Sequence, residues 1–305
     1  MTKQARAQGS AGSAASGEPA WKHLFPAGFR NERIKTSGAE INAVIGGSGP
    51  PVLMFHGAPQ SLITWRLIAP DLAKDFTLVM CDLRGYGDSS KPADTPDHSN
   101  SSKRPMALDG VEVMKHLGYD RYFMVGHDRG GRVGRRMALD HPDKVQKLVV
   151  MDIVPAHYLY SHVTMDFVRA YFHWFNYLRA APGPEDELFK TNQAQLARAT
   201  NDVQREYLRT SATMENIHAM CEDYRASASI DLKNDEADIK AGKKIQCPLL
   251  TLWAATGAMG KLYDVLGIWK EEGVNVQGKG LPGNHSLQES APKETLAEIQ
   301  KFLKA

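Results

Sequence analysis

The 305-residue chain has only three cysteines, Cys81, Cys221 and Cys247, odd in number and far apart. That count argues against a disulfide framework or a zinc site and fits a reduced, cytoplasmic protein. Long apolar runs are also missing. None exceeds four residues, far short of the ~20 that a membrane helix needs. Charge of one sign is lacking too: 37 Lys and Arg stand against 35 Asp and Glu, the net charge is +2, and the basic residues are scattered. A nucleic-acid partner would call for clustered basic residues on one face. Residues 1–20 hold no apolar segment of the kind a secretory signal requires. Their Ala, Gly and Ser content is read as part of a disordered tail over 1–24, with Lys3, Arg6 and the serines giving a weaker organelle-transit reading.

What is present is an apolar fraction of 42%, enough for a packed core. Short apolar runs alternate with helical stretches. "AEINAVIGG" and "SGPPVLMFHG" read as a hairpin whose second strand is 52–56. "FTLVMCDLRGYG", "RYFMVG", "KLVVMDIVP", "CPLLTLW" and "VNVQG" give further strands. Helices are expected over 65–74, 104–117, 130–140 and 291–303. Continuous apolar strands between helices indicate a parallel sheet covered on both faces. The alternation stops over 155–242, which is helical in pattern and aromatic, with "TMDFVRAYFHWFNYLRA" as its clearest helix. Such an insert is best placed as a cap over the carboxyl edge of the sheet, where ligands bind. The core then comprises 25–154 and 243–305.

"VGHDRGGR" (125–132) has the G-x-nucleophile-x-G spacing of a strand-to-helix elbow, with Asp128 at its centre. A carboxylate is ionised at neutral pH without a base. It suits attack on a saturated carbon bearing a leaving group, and the resulting ester must then be hydrolysed. Three further parts are therefore required, and each has a candidate. His285 in "LPGNHSLQE" is the base. Asp152 at the end of "KLVVMD" is its orienting acid, because the alternative position after "LLTLW" reads Ala-Ala-Thr-Gly. The backbone N–H groups of Ala58 and Arg129 can form an oxyanion hole. Each residue also has a plain alternative: a loop aspartate, a helix cap, a hydrogen-bonded loop histidine.

At these residues the chain resembles the α/β-hydrolase fold. It looks more closely like the haloacetate (fluoroacetate) dehalogenases, from about Phe25 to Leu303. The resemblance is carried by "HGAPQSLITW", "CDLRGYGDS", "GHDRGGRVGRRMALDHP", "VMDIVP", the His173-Trp174 pair, "CEDYRA" and the histidine of "GNH". It implies that Asp128, His285 and Asp152 are the catalytic triad and that Arg129 and Arg132 bind the substrate carboxylate. It implies a halide pocket of His173, Trp174 and Tyr224. Arg129 and Arg132 are three apart on one helix side, and a guanidinium fork grips a carboxylate well. Without the resemblance, Trp174 fits an apolar stripe with Phe167, Tyr171 and Leu178. Arg135 and Arg136 read as solvated or ion-paired helix residues, and Asp82 and Arg84 as structural. Departures are Ala58 where Phe is usual, Asn284 before His285, and "WAATG" after the late strand. The implied activity is hydrolytic dehalogenation of a short 2-haloacid, with water as co-substrate and no metal or organic cofactor. The rivals are an epoxide hydrolase and a non-catalytic ligand-binding protein. A homodimer is expected on the resemblance alone.

Overall fold

A computed structural model describes residues 20–305. The tail and transit readings fall mostly on residues 1–19, outside the described residues. The end of the expected tail, Ala20–Leu24, forms a 3-10 turn, and Phe25 behind it is buried. The eight strands are β1 (Arg30–Lys35), β2 (Glu40–Gly47), β3 (Pro51–Phe55), β4 (Thr77–Cys81), β5 (Tyr122–His127), β6 (Val145–Met151), β7 (Leu249–Ala254) and β8 (Val276–Leu281). They form one sheet in the order β1-β2-β4-β3-β5-β6-β7-β8. From β4 to β8 every pairing is parallel, while β2 runs antiparallel to both neighbours. The α/β-hydrolase fold expected from the sequence is the fold observed.

Neighbouring residues along these strands enter opposite faces. In β3, Leu53 and Phe55 join one apolar layer while Val52 and Met54 join the other; β4 and β6 divide in the same way. Each such side chain contributes roughly 1.5–3 kcal/mol on full burial, so burial on both faces favours the continuous apolar runs of the sequence.

The expected hairpin between β2 and β3 is not formed, because β4 lies between them. Gly47, with φ +86°, explains the detour. A Cβ there would sit 2.2 Å from the Phe76 carbonyl oxygen, so glycine lets the connection pass tightly against the segment leading into β4. β1 escaped the sequence reading because "RNERIK" is a polar edge strand with one buried residue, Ile34.

The helix expected over 65–74 is divided into a 3-10 turn, Leu62–Leu67, and α1 (Ala69–Leu72). Pro70 has no N–H to donate and its ring obstructs a continuous α-helix. α2 (Lys103–His116) and α3 (Arg129–Asp140) run close to their expected spans. Between β6 and β7 the chain forms seven helices and no strand: α4 (Ala156–Ser161), α5 (Met165–Ala170), α6 (Phe172–Tyr177), α7 (Gly183–Leu196), α8 (Asp202–Ser211), α9 (Met214–Ser227) and α10 (Ile230–Lys240). The single helix expected around His173 is broken at Tyr171, whose backbone (φ −127°, ψ 35°) leaves the helical region. The chain closes with α11 (Ala258–Leu262), α12 (Val265–Glu272), α13 (Leu287–Ser290) and α14 (Pro292–Lys304). Among the described residues no helix is long and apolar enough to cross a membrane.

Chain order in the sheet reverses at β3, which sits between β4 and β5. The loops leaving β3 and β5 diverge there and open a crevice at the carboxyl edge.

Candidate active site

Asp128 follows the last residue of β5 and precedes the first of α3, with φ 46° and ψ −115°. Such a backbone costs a non-glycine residue about 1–3 kcal/mol. The surroundings hold it: the Asp128 N–H donates to the Met151 carbonyl oxygen at 3.1 Å, and Gly130 N–H to that of His56 at 2.9 Å. A Cβ on Gly130 would lie 2.3 Å from the Phe55 carbonyl oxygen, and one on Gly57 2.6 Å from Asp128 Cβ. Small residues at both positions let the elbow close against the β3 loop.

The Ala58 N–H donates to Asp128 Oδ2 at 3.0 Å. The Arg129 N–H starts α3, where no carbonyl of the helix itself serves it. These are the two backbone donors expected from the sequence. Asp152 occupies the matching place one residue past β6, also at positive φ (51°). Its N–H donates to the Leu252 carbonyl oxygen at 2.7 Å, and its Oδ1 accepts from the Ala254 N–H at 2.8 Å. Its other oxygen lies 2.6 Å from His285 Nδ1. His285 Nε2 in turn stands 4.0 Å from Asp128 Oδ2, a charge contact rather than a hydrogen bond. The three residues are thus brought together in the order Asp152, His285, Asp128.

Electrostatics follow from this arrangement. Burial alone would lower the His285 pKa, but the flanking carboxylates of Asp128 and Asp152 push it up to about 10. Burial alone would raise Asp128, but His285, His127 and Arg129 hold its carboxyl well below the usual carboxylate range. His127, next to the nucleophile candidate, is driven the other way, down to about 4, by burial and by the His285 charge.

A cavity of about 430 Å³ opens over Asp128, lined by Ala58, Pro59, Asp128 and His285 from the sheet edge and by Tyr171, His173, Trp174, Tyr177, Met220 and Tyr224 from the helical insert. All three halide-pocket candidates line it. Trp174 belongs to the apolar core as well. Burial raises the Tyr224 pKa well above its ordinary value, and that of Tyr177 to about 12, so both phenols stay neutral donors.

The two arginine candidates differ. Arg129 is wholly buried. Its Nε and Nη2 donate to Asp223 Oδ2 and Oδ1 at 2.7 and 2.6 Å, Nη2 also reaches Ser227 Oγ, and Nη1 is buried without a hydrogen-bond partner. Lys103 pairs with the same Asp223, and Tyr86 donates to it. Arg132, only 6% exposed, has no carboxylate partner among the described residues. Its Nη1 donates to the Val154 carbonyl oxygen at 2.9 Å, its Nε has no partner, and its guanidinium carbon lies 4.8 Å from the centre of the Trp174 ring.

Sequence reasoning missed Asp223, although it stands beside Tyr224 in the quoted "CEDYRA". It also gave Tyr160 no place in the carboxylate site. That phenol is buried and unpartnered, and its ring lies 5.7 Å from Trp174. Burial raises its pKa while the charges of Arg129 and Arg132 pull it down. Three orphan donors, Arg129 Nη1, Arg132 Nε and Tyr160 O–H, therefore surround Trp174. Asp82 and Arg84 are structural as read: Asp82 accepts from Leu62, Asn42 and Asp88, and Arg84 is ion-paired with Asp109.

The α/β hydrolase fold family profile matches residues 50–275. A fluoroacetate dehalogenase of Burkholderia sp is 39% identical over 288 residues, covering 90% of this chain and 94% of the relative. A soluble epoxide hydrolase of Corynebacterium sp. (strain C12) is 30% identical over 286 residues, covering 87% of this chain and 94% of the relative. Among solved structures, ALR0039 of Nostoc sp PCC 7120, assigned as an α/β hydrolase, superimposes with a TM-score of 0.85 at 46% identity, covering 90% of this chain and 98% of its own.

Proposed function

We propose, for a chain that belongs to the haloacetate (fluoroacetate) dehalogenase family of the α/β-hydrolase fold, that it hydrolyses short 2-haloacids to 2-hydroxyacids through an ester of Asp128. The observation that carries this reading is Arg132: a buried cation without a carboxylate partner among the described residues, lying in the electrostatic field of Asp128 although not on the wall of the cavity over it. A neutral substrate has no use for such a charge, whereas a haloacid supplies its missing partner. Each charge-assisted hydrogen bond contributes roughly 1.5–3 kcal/mol.

With Asp128 Oδ2 held by the Ala58 N–H, Oδ1 attacks the halogen-bearing carbon from the side opposite the halogen. The carbon–halogen bond breaks and the halide leaves with the bonding pair. His173, Trp174 and Tyr224 donate hydrogen bonds to it. Alkylation cancels the charge of Asp128, one of the two that raise the His285 pKa. The imidazolium thus releases its proton to solvent and becomes the neutral base that is needed. It then takes a proton from water as that water attacks the ester carbonyl, and the Ala58 and Arg129 N–H groups hold the oxyanion. Collapse breaks the bond between the Asp128 carbonyl carbon and the alkyl oxygen, His285 gives its proton to the departing oxygen, and the hydroxyacid leaves; the new Asp128 carboxyl then passes its proton to His285 and is a carboxylate again. Asp152 orients His285 throughout, and the helical insert acts as a cap that closes the site.

Epoxide hydrolysis is the second reading, favoured by three tyrosines on the cavity wall, Tyr171, Tyr177 and Tyr224. Opening an epoxide needs a phenol to give up its proton. Burial raises the pKa of all three, which suits hydrogen-bond donation better than proton transfer. Parallel incubation with fluoroacetate, chloroacetate and styrene oxide separates the two. Halide release abolished in Asp128→Asn is the expected result; diol from the epoxide with no halide from either acid rejects the dehalogenase reading.

A further inference from the structure

Behind the catalytic cavity the structure holds a small, closed space of about 20 Å³. It shares Pro59 and Met220 with the catalytic cavity. On its far side it shares Gln60, Asn192 and Ser211 with a groove of about 490 Å³ that Tyr207 of α8 and Gln195 of α7 also line. The small space, a neck, thus shares walls with both the catalytic cavity and the outer groove, and Pro59 borders all three.

Two buried amide oxygens on residues lining this neck, Gln60 Oε1 and Asn216 Oδ1, have no hydrogen-bond partner among the protein groups. Asn216 is only 8% exposed. Neither amide can be turned round to relieve this. Gln60 Nε2 donates to Glu289 Oε2 at 2.9 Å and to Ser286 Oγ at 3.2 Å, and rotation would set its oxygen against the Glu289 carboxylate. Asn216 Nδ2 donates to the Thr210 carbonyl oxygen, and rotation would oppose two carbonyls. A buried acceptor left without a donor costs roughly 1–3 kcal/mol. A space of this size is enough for one water molecule.

We propose that Gln60 Oε1 and Asn216 Oδ1 hold a water molecule in the neck, and that the neck admits water to the catalytic cavity from the groove between α7 and α8. A water molecule donates one O–H to each oxygen. Both groups are acceptors, so they disfavour halide and carboxylate. The neck thus separates the route of water from that of the anionic acid and products. The water site rests on the two unpaired oxygens and the space that their residues line, whereas the passage rests on the ester mechanism above.

An atomic-resolution crystal structure of the wild-type chain tests the site. Water within hydrogen-bond distance of both amide oxygens is expected. A neck filled by side chains, or either oxygen bonded to a protein donor, overturns the site whatever the protein hydrolyses. Ser211→Phe at the outer mouth and Asn216→Leu inside the neck test the passage. Each should slow decay of the Asp128 ester, followed by peptide mass after a substrate chase, about tenfold while ester formation keeps its rate. Two variants are used because Asn216→Leu also forfeits the bond to Thr210. A folded Ser211→Phe protein with wild-type ester decay overturns the passage. Failure of the wild type to release any halide rejects the dehalogenase reading instead, and the crystallographic result then decides the water site.

Discussion

Four arginines stand on α3, and all four are buried: Arg129, Arg132, Arg135 and Arg136. At the far end of the helix the charges are fully matched. Arg135 pairs with Asp235 at 2.7 Å and Glu272 at 2.7 Å. Arg136 pairs with Asp235 at 2.7 Å, with Asp140 at 3.1 Å and with Asp238. At the elbow end Arg129 is matched by Asp223, but Arg132 has no acid among the described residues. Burial therefore does not separate a binding arginine from a structural one; the partner does. A buried pair is close to neutral for stability, while a buried cation without a partner is costly. On the proposed reading, binding of an anion offsets that cost at Arg132.

The sharpest way to break this comparison is to exchange the two ends. Arg132→Met, which keeps volume beneath Trp174, should reduce kcat/KM for haloacetate by about 10²–10⁴-fold while the unfolding free energy of the unliganded chain stays the same or rises. A variant that loses stability instead of activity would place Arg132 with the structural group. Arg136→Met should behave in the opposite way. It strips a partner from Asp235 and Asp238, and urea unfolding should show a loss of about 3–5 kcal/mol while the folded enzyme keeps its kcat/KM.

The smallest expected effect carries the comparison to two histidines whose ring centres lie 4.8 Å apart, His127 and His285. The ordinary pKa of 6.5 is lowered to about 4 in one and raised to about 10 in the other. The neutral His127 contributes stability above 6.5, lost as pH falls towards 4. The charged His285 contributes stability below 6.5, lost as pH rises through about 10. Thermal melts across pH should show both limbs, and His285→Gln should remove the alkaline one and shrink the acid one, because the His285 charge helps to lower His127. An unchanged alkaline limb in that variant would mean that the flanking carboxylates do not hold a proton on the ring.

Much of this site was legible because its parts sit at strand ends, which apolar runs mark clearly. Asp128 and Asp152 each follow such a run. Ala58 follows another, and His285 comes after the last. Long-range pairing was less legible. Nothing in "CEDYRA" says that Asp223 reaches Arg129, 94 residues away, because a charge on a helix reads alike whether its partner is water or a distant guanidinium. The polar edge strand β1 and the displacement of β3 from β2 were hidden for a related reason: strand order depends on crossover connections, not on the strands' own patterns. The break at Tyr171 lies within an uninterrupted helical sequence with no Pro or Gly to announce it.

The amides of Asp128 and Asp152 donate to carbonyls of the adjacent strands β6 and β7. The backbones of both residues consequently form terminal rungs of the sheet's own ladder, and neither can shift without unzipping it. Adjustment to guests of different size must then come from the overlying helices and from the imidazole loop, while the spacing between the two acids stays as rigid as the framework beneath.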